Sequence, residues 1–155
     1  MSGPEPVTIV GCSEADLPEV ARMLAESPEA ARWSDRALSE SLGNSKDRFL
    51  VARGGGEVVG FILGRSGGEE AEILNLAVKG EWRRQGMGRA LAGALLEFYA
   101  QEGIRRIFLE VRESNRGAIA LYERMGFKQV GKRPDYYRNP GEAALVLAKQ
   151  TCREG

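Results

Sequence analysis

The segment from Ile73 to Phe98 constrains the fold more than any other part of the chain. Ile73-Leu74-Asn75-Leu76-Ala77-Val78 is an apolar run bounded by polar residues, which reads as a buried strand. After Arg83-Arg84-Gln85 come Gly86-Met87-Gly88-Arg89, and Met87, Ala90, Leu91, Ala94, Leu95 and Phe98 then recur at helical spacing. A second apolar run, Ile107 to Val111, follows once the helix has ended near Gly103. Strand, helix and strand in this order imply a right-handed crossover between two parallel strands. Ligands of such sheets bind beyond the carboxyl ends of the strands, where Val78 meets the glycine turn and Val111 meets Arg112.

The turn itself suits an anion. The first N–H groups of a helix have no partner inside it, the helix dipole leaves partial positive charge there, and glycine permits close approach to the main chain. Arg83, Arg84 and Arg89 add positive charge at the same place. The string R-x-x-G-x-G is not a P-loop, because the lysine and hydroxyl of that motif are missing, nor a dinucleotide fingerprint, because no third glycine follows Gly88. A loop that only caps a helix carries the same string.

Elsewhere, Val7 to Val10 reads as a first strand, and Ser13 with Asp16, or Asp16 with Glu19, can box the start of a helix carrying Leu17, Val20, Ala21 and Leu24. A short second helix is predicted over Ser34 to Leu42. Phe49 to Ala52 and Val58 to Leu63 flank Gly54-Gly55-Gly56 as a hairpin, and a third strand runs from about Glu70 to Val78. Asn115 to Met125 reads as a helix closed by Gly126, followed by strands at Lys128 to Lys132 and Ala143 to Ala148. The hairpins make the sheet edges antiparallel, so the expected fold is α/β with a mixed sheet. At 155 residues the chain suits one domain over 1–155, with 1–5 and 150–155 expected as loose ends.

Twenty-two basic and 22 acidic residues cancel, so no global field recruits nucleic acid or an anionic membrane. No apolar stretch is long enough to span a bilayer, and the first residues lack the pattern of a signal peptide, so the cytoplasm is the expected location. Cys12 and Cys152 lie near opposite ends without metal-ligand spacing and are read as structural or incidental. The chain has no histidine. A transition-metal site is therefore not expected, and proton transfer must use a carboxylate, tyrosine, lysine, cysteine or water.

Leu76-Ala-Val78, Arg83-x-x-Gly86-x-Gly88, Leu109-Glu110-Val111, Asn115 and Ala120-Leu-Tyr122-Glu-Arg-Met-Gly126-Phe127, in this order and spacing, resemble the GNAT superfamily of acyl-CoA-dependent N-acetyltransferases. Leu-Glu-Val-Arg112-Glu-Ser-Asn115, Ala118 to Tyr122, Tyr136-Tyr137 and Trp33-Ser34 are similar to its RimI-type ribosomal-protein-alanine N-acetyltransferases. One departure is Glu142-Ala143, where an acidic dipeptide often opens the last strand. The resemblance implies a mostly antiparallel sheet of about seven strands, with a splayed parallel pair at its centre and about four helices.

The resemblance also implies roles. Acetyl-CoA would place its diphosphate on the amides of Arg84, Gln85, Gly86, Met87, Gly88 and Arg89, and its pantetheine arm along Leu76, Ala77 and Val78. Asn115 would hydrogen-bond that arm, and an N–H of Leu76 or Ala77 would face the thioester oxygen. Glu110 is the candidate base, with Glu72 in reserve, and Tyr122 the candidate acid toward the departing thiolate. Alone, Glu110 also reads as a solvent-facing strand residue and Tyr122 as a core aromatic. Trp33, Tyr136 and Tyr137 fall in expected loops around the acceptor groove, and Glu113, Glu123 and Asp135 offer negative charge to a basic peptide.

The implied acceptor is a protein or peptide N-terminus, the alanine of a small-subunit ribosomal protein. An α-amine, with pKa about 7.7 to 8.0, is about a tenth to a sixth neutral at pH 7, whereas a lysine amine near 10.4 is neutral in fewer than about one molecule in a thousand. Two other readings stay open: acetylation of a small-molecule amine or a lysine side chain, and a noncatalytic acyl-CoA sensor.

Overall fold

The computed structural model describes residues 7–27, 33–138 and 141–151. One sheet runs through it, built from β1 (Val7–Gly11), β2 (Asp47–Gly54), β3 (Glu57–Gly67), β4 (Glu70–Val78), β5 (Arg106–Arg112), β6 (Lys128–Arg138) and β7 (Gly141–Gln150). The strand order is β1-β2-β3-β4-β5-β7-β6, and every neighbouring pair is antiparallel except β4 with β5. Four α-helices complete the fold: α1 (Leu17–Ala25), α2 (Asp35–Leu42), α3 (Met87–Gln101) and α4 (Arg116–Arg124).

Local chemistry explains the ends of these elements. The Asp16 carboxylate accepts from both the N–H and the hydroxyl of Ser13 ahead of α1, and it pairs with Arg53 of β2 at 2.6 Å, tying the helix start to the sheet. Burial alone would raise the Asp16 pKa, but the Ser13 and Arg53 contacts outweigh it and hold the carboxyl below its ordinary value. Ser34 caps α2 by accepting from the Ala37 N–H. Gly55 and Gly56, both at positive φ, form the β2–β3 turn. Gly64 admits the buried Tyr99 of α3: a Cβ there would lie 2.5 Å from the Tyr99 hydroxyl.

The sheet separates two apolar clusters. Val20, Met23 and Leu38 from α1 and α2 pack with Phe49, Val51, Phe61 and Leu63. On the other side Met87, Leu91, Leu95 and Tyr99 of α3 and Tyr122 of α4 pack with Ile62, Ile73, Ile107, Leu109 and Val111. Burying both faces is what allows β3 to run as seven consecutive buried residues from Val58 to Gly64.

A bulge adjusts which side chains face which cluster. The β3–β4 register slips between Leu63/Gly64, so Leu74 is an extra residue in β4. A one-residue insertion reverses the alternation: Ala71 and Ile73 before it, and Leu76 and Val78 after it, all belong to the α3–α4 side.

Three expectations change at the C-terminal half. β6 extends to Arg138 rather than ending near Lys132, so Tyr136 and Tyr137 lie in a strand and not in a loop. The strand resumes after a bulge between Arg133 and Tyr137 that contains Pro134 and Asp135, the latter at φ 56. Gln150 pairs with Arg106, and Thr151 bonds to the carbonyls of Ile104 and Arg105, so the chain is tied at positions expected to be loose. Cys152 and residues 1–5 lie outside the described residues.

Candidate active site

The parallel pair opens as expected. β4 and β5 are in register from Glu70↔Arg106 to Ile73↔Leu109, and there the pairing stops, although β4 continues to Val78 and β5 to Arg112. A cavity of about 830 Å³ occupies this divergence and runs to the start of α3. It is bordered by Glu72 to Val78 of β4, Leu109 to Val111 of β5, the first turn of α3, one face of α4, and Trp33, Tyr136 and Tyr137.

Main-chain polarity along β4 follows from one hydrogen bond at its end. Lys79 N–H donates to Val59 O at 2.8 Å, and N–H groups alternate sides along an antiparallel ladder, so Ala77 also faces β3. Leu76 and Val78 then face the gap. Of the two amides expected near the thioester oxygen, the one aimed into the cavity belongs to Leu76, and the Asn75 Oδ1 accepts from it at 3.0 Å.

The anion end is equally explicit. Gly86 precedes α3 in the left-handed region at φ 79, has no side-chain cap, and is followed by a first turn without acidic residues. Ala90 N–H is the first to bond back into the helix, to Gly86 O, so the amides of Met87, Gly88 and Arg89 precede the ladder. Arg84 also has positive φ, at 63. Arg83 Nε donates to Val78 O, fixing the turn against the end of β4, and its Nη2 donates to Ser27 Oγ. Gln85 departs from expectation: it does not border the cavity, and its side-chain amide donates to Glu81 O.

These features fit a carrier with a diphosphate head and an amide-bearing arm. Uncapped N–H groups face the head, and the free edges of two strands face the arm. Asn115 and Tyr122 both border the cavity from α4. The Asn115 Oδ1 is committed to capping α4 by accepting from Ala118 N–H, so hydrogen bonding toward an arm falls to its NH2 group. Tyr122 is buried edge-on against Phe127, and desolvation pushes its hydroxyl pKa above the ordinary value.

The end of the cavity at Trp33, Tyr136 and Tyr137 gathers charge that spacing did not reveal. On β5, Ile107, Leu109 and Val111 are buried while Phe108 and Glu110 take the other face, as alternation requires. Glu110 pairs with Arg133 Nε at 2.8 Å, and the Tyr136 hydroxyl donates to it, which raises the Tyr136 pKa. Glu72 lies opposite Phe108, two residues before Glu110 on β5; burial and then the Glu110 charge raise its carboxyl pKa. Arg112 lies over the Tyr137 ring and pairs with Glu142, which also accepts from the N–H and hydroxyl of Ser114. Those bonds hold the Glu142 carboxyl below its ordinary pKa. Glu142 therefore braces the loop before Asn115.

Glu113, Glu123 and Asp135 do not border the cavity, and Glu113 is already paired with Lys132 at 2.9 Å. The Cys12 thiol is pushed up to about 12 by burial and the Asp16 charge, which keeps it protonated and unreactive at neutral pH.

Comparison with known proteins gives the family and the fold. The Acetyltransferase (GNAT) family model matches residues 17–127. The chain is 33% identical over 143 residues to the [ribosomal protein bS18]-alanine N-acetyltransferase of Escherichia coli (strain K12), covering 91% of this chain and 95% of that protein. It is 34% identical over 156 residues to N-alpha-acetyltransferase RimI of Mycobacterium tuberculosis, with 95% and 94% covered. An uncharacterized Mycobacterium leprae protein is 34% identical over 151 residues, and there the chain spans only 41% of its length. The crystal structure of the E. coli ribosomal-protein-S18-alanine N-acetyltransferase superposes with a TM-score of 0.86 at 29% identity, covering 97% of each chain. The chain therefore belongs to the GNAT family: it is an acetyltransferase, and acetyl-CoA is its acetyl donor.

Proposed function

We propose that this acetyltransferase modifies the N-terminal α-amine of proteins in the cytoplasm, with the N-terminal alanine of a small-subunit ribosomal protein as acceptor. The observation that carries the reading is the presentation of Glu110 and Tyr122 from opposite faces of the sheet onto one cavity. Glu110 borders the cavity with Trp33, Tyr136 and Tyr137 and accepts from the Tyr136 hydroxyl, so an amine entering from that side would come up against its carboxylate.

Each group has one task. Glu110, directly or through water, takes the proton that the amine must lose, a small demand because an α-amine is already about a tenth neutral at pH 7. The Leu76 N–H lies where charge develops on the carbonyl oxygen and stabilises it. Tyr122 keeps its proton across the physiological range and can deliver it to the leaving sulfur, so transfer is direct and needs no acyl-enzyme. Arg84, the first-turn amides of α3 and Arg89 hold the diphosphate, and Asn115 the arm.

The kinship with proteins named for alanine and α-N-acetylation supports the α-amine over a side-chain amine. The test is mass analysis of peptides incubated with acetyl-CoA. Peptides beginning with alanine should gain one acetyl group at the N-terminus; acetylation confined to lysine side chains or polyamines would overturn the reading.

A further inference from the structure

The amide assigned to the thioester oxygen is already occupied. Leu76 N–H faces the gap between β4 and β5, and its partner there is the Asn75 Oδ1 at 3.0 Å. Asn75 is only 7% exposed and borders the cavity, so this bond lies inside the site rather than on the outer surface. It sits immediately after the bulge at Leu74, where the alternation of β4 reverses.

A side-chain carboxamide and a thioester present the same feature to an N–H donor, an oxygen on a trigonal carbon. A buried N–H with no acceptor is costly, so a protein that reserves one for its substrate gains by giving it an interim partner. The preceding residue's side chain is well placed to serve, because its oxygen reaches the N–H without any shift of the main chain.

We propose that Asn75 is a positioning residue that holds the Leu76 N–H in place of the thioester carbonyl and yields it when the acetyl group arrives. This rests on acetyl-CoA binding along β4. It has a consequence that a purely structural asparagine lacks. CoA, which ends in a thiol, leaves the Asn75 bond intact, whereas acetyl-CoA must exchange it, so Asn75 suppresses the affinity difference between donor and product. That would favour turnover by keeping the donor from being held too tightly in the ground state.

Calorimetric affinities for acetyl-CoA and CoA separate the possibilities. Asn75→Ala removes the competing oxygen and should raise the ratio of acetyl-CoA to CoA affinity about 3- to 10-fold, the worth of one hydrogen bond. Asn75→Asp keeps the shape and strengthens the acceptor, so the ratio should fall; this variant decides if Asn75→Ala does not fold. A ratio unchanged in both variants, an equal loss for both ligands, or a ratio that falls in Asn75→Ala would overturn the assignment. Failure of the wild-type protein to bind acetyl-CoA would instead refute the donor site itself.

Discussion

At the scale of single residues, the acceptor end combines groups that oppose one another. Glu72 and Glu110 sit on adjacent strands with like charge, and Arg133 pairs with Glu110 where an incoming ammonium would otherwise stand. Removing Arg133 as Arg133→Gln should lower the acceptor KM about two- to fivefold, the worth of an exposed pair, with acetyl-CoA affinity unchanged; a raised KM would mean that Arg133 binds the acceptor. Glu72 carries a stability cost. Its folded pKa lies above the ordinary 4.5, so the penalty is absent below that pH and fully present once pH exceeds the folded value. Glu72→Gln should therefore raise the melting temperature at pH 7 and leave it nearly unchanged at pH 4; a lowered Tm at pH 7 would show that the carboxylate is stabilising. Tyr122→Phe keeps the packing on Phe127 but removes the proton, so kcat should fall about 100-fold or more with acetyl-CoA affinity retained. An unchanged rate would take Tyr122 out of the mechanism.

At the scale of elements, the turn into α3 is the part that the sequence states most clearly, and the structure shows why. Gly86 takes a left-handed φ, and Gly88 leaves the first turn open, with the nearest atom to a hypothetical Cβ being Leu121 Cδ2 at 3.5 Å. A Cβ at Gly88 therefore meets no close protein atom, whereas Gly88→Glu adds bulk and negative charge where the diphosphate would lie and should abolish acetyl-CoA binding in calorimetry. Wild-type binding by Gly88→Glu would place the diphosphate elsewhere.

Glu70 to Val78 and Asn115 to Gly126 were legible for the same reason: periodicity and glycine or asparagine caps mark them. Three features were not. Pro134 and Asp135 look like a loop, but they form a bulge within β6, so the strand that carries Tyr136 and Tyr137 was cut short. Asn75, inside an apolar run, gives no sign of its side chain's bond, because that depends on a bulge with no local signal. The Glu110–Arg133 pair spans the width of β7, with Arg133 opposite Ala144 and Glu110 opposite Val146, and no spacing along the chain encodes it.

For the whole molecule, the order β1-β2-β3-β4-β5-β7-β6 places the parallel pair β4 and β5 in the interior of the sheet, and there the ladder opens. Helices α1 and α2 cover one face and α3 and α4 the other, so the gap connects two sides that are otherwise sealed by apolar clusters. Acceptor and donor can then approach from different directions and meet between Glu110 and Tyr122. The central claim is that acetyl-CoA fills this gap as an added strand, with its phosphates on the first turn of α3. Residue-resolved amide hydrogen exchange with and without acetyl-CoA tests it most directly. The expected result is new protection at Val78 and at Met87, Gly88 and Arg89, with little change in β1 or β2; unchanged exchange at these amides when the protein is saturated would contradict the account.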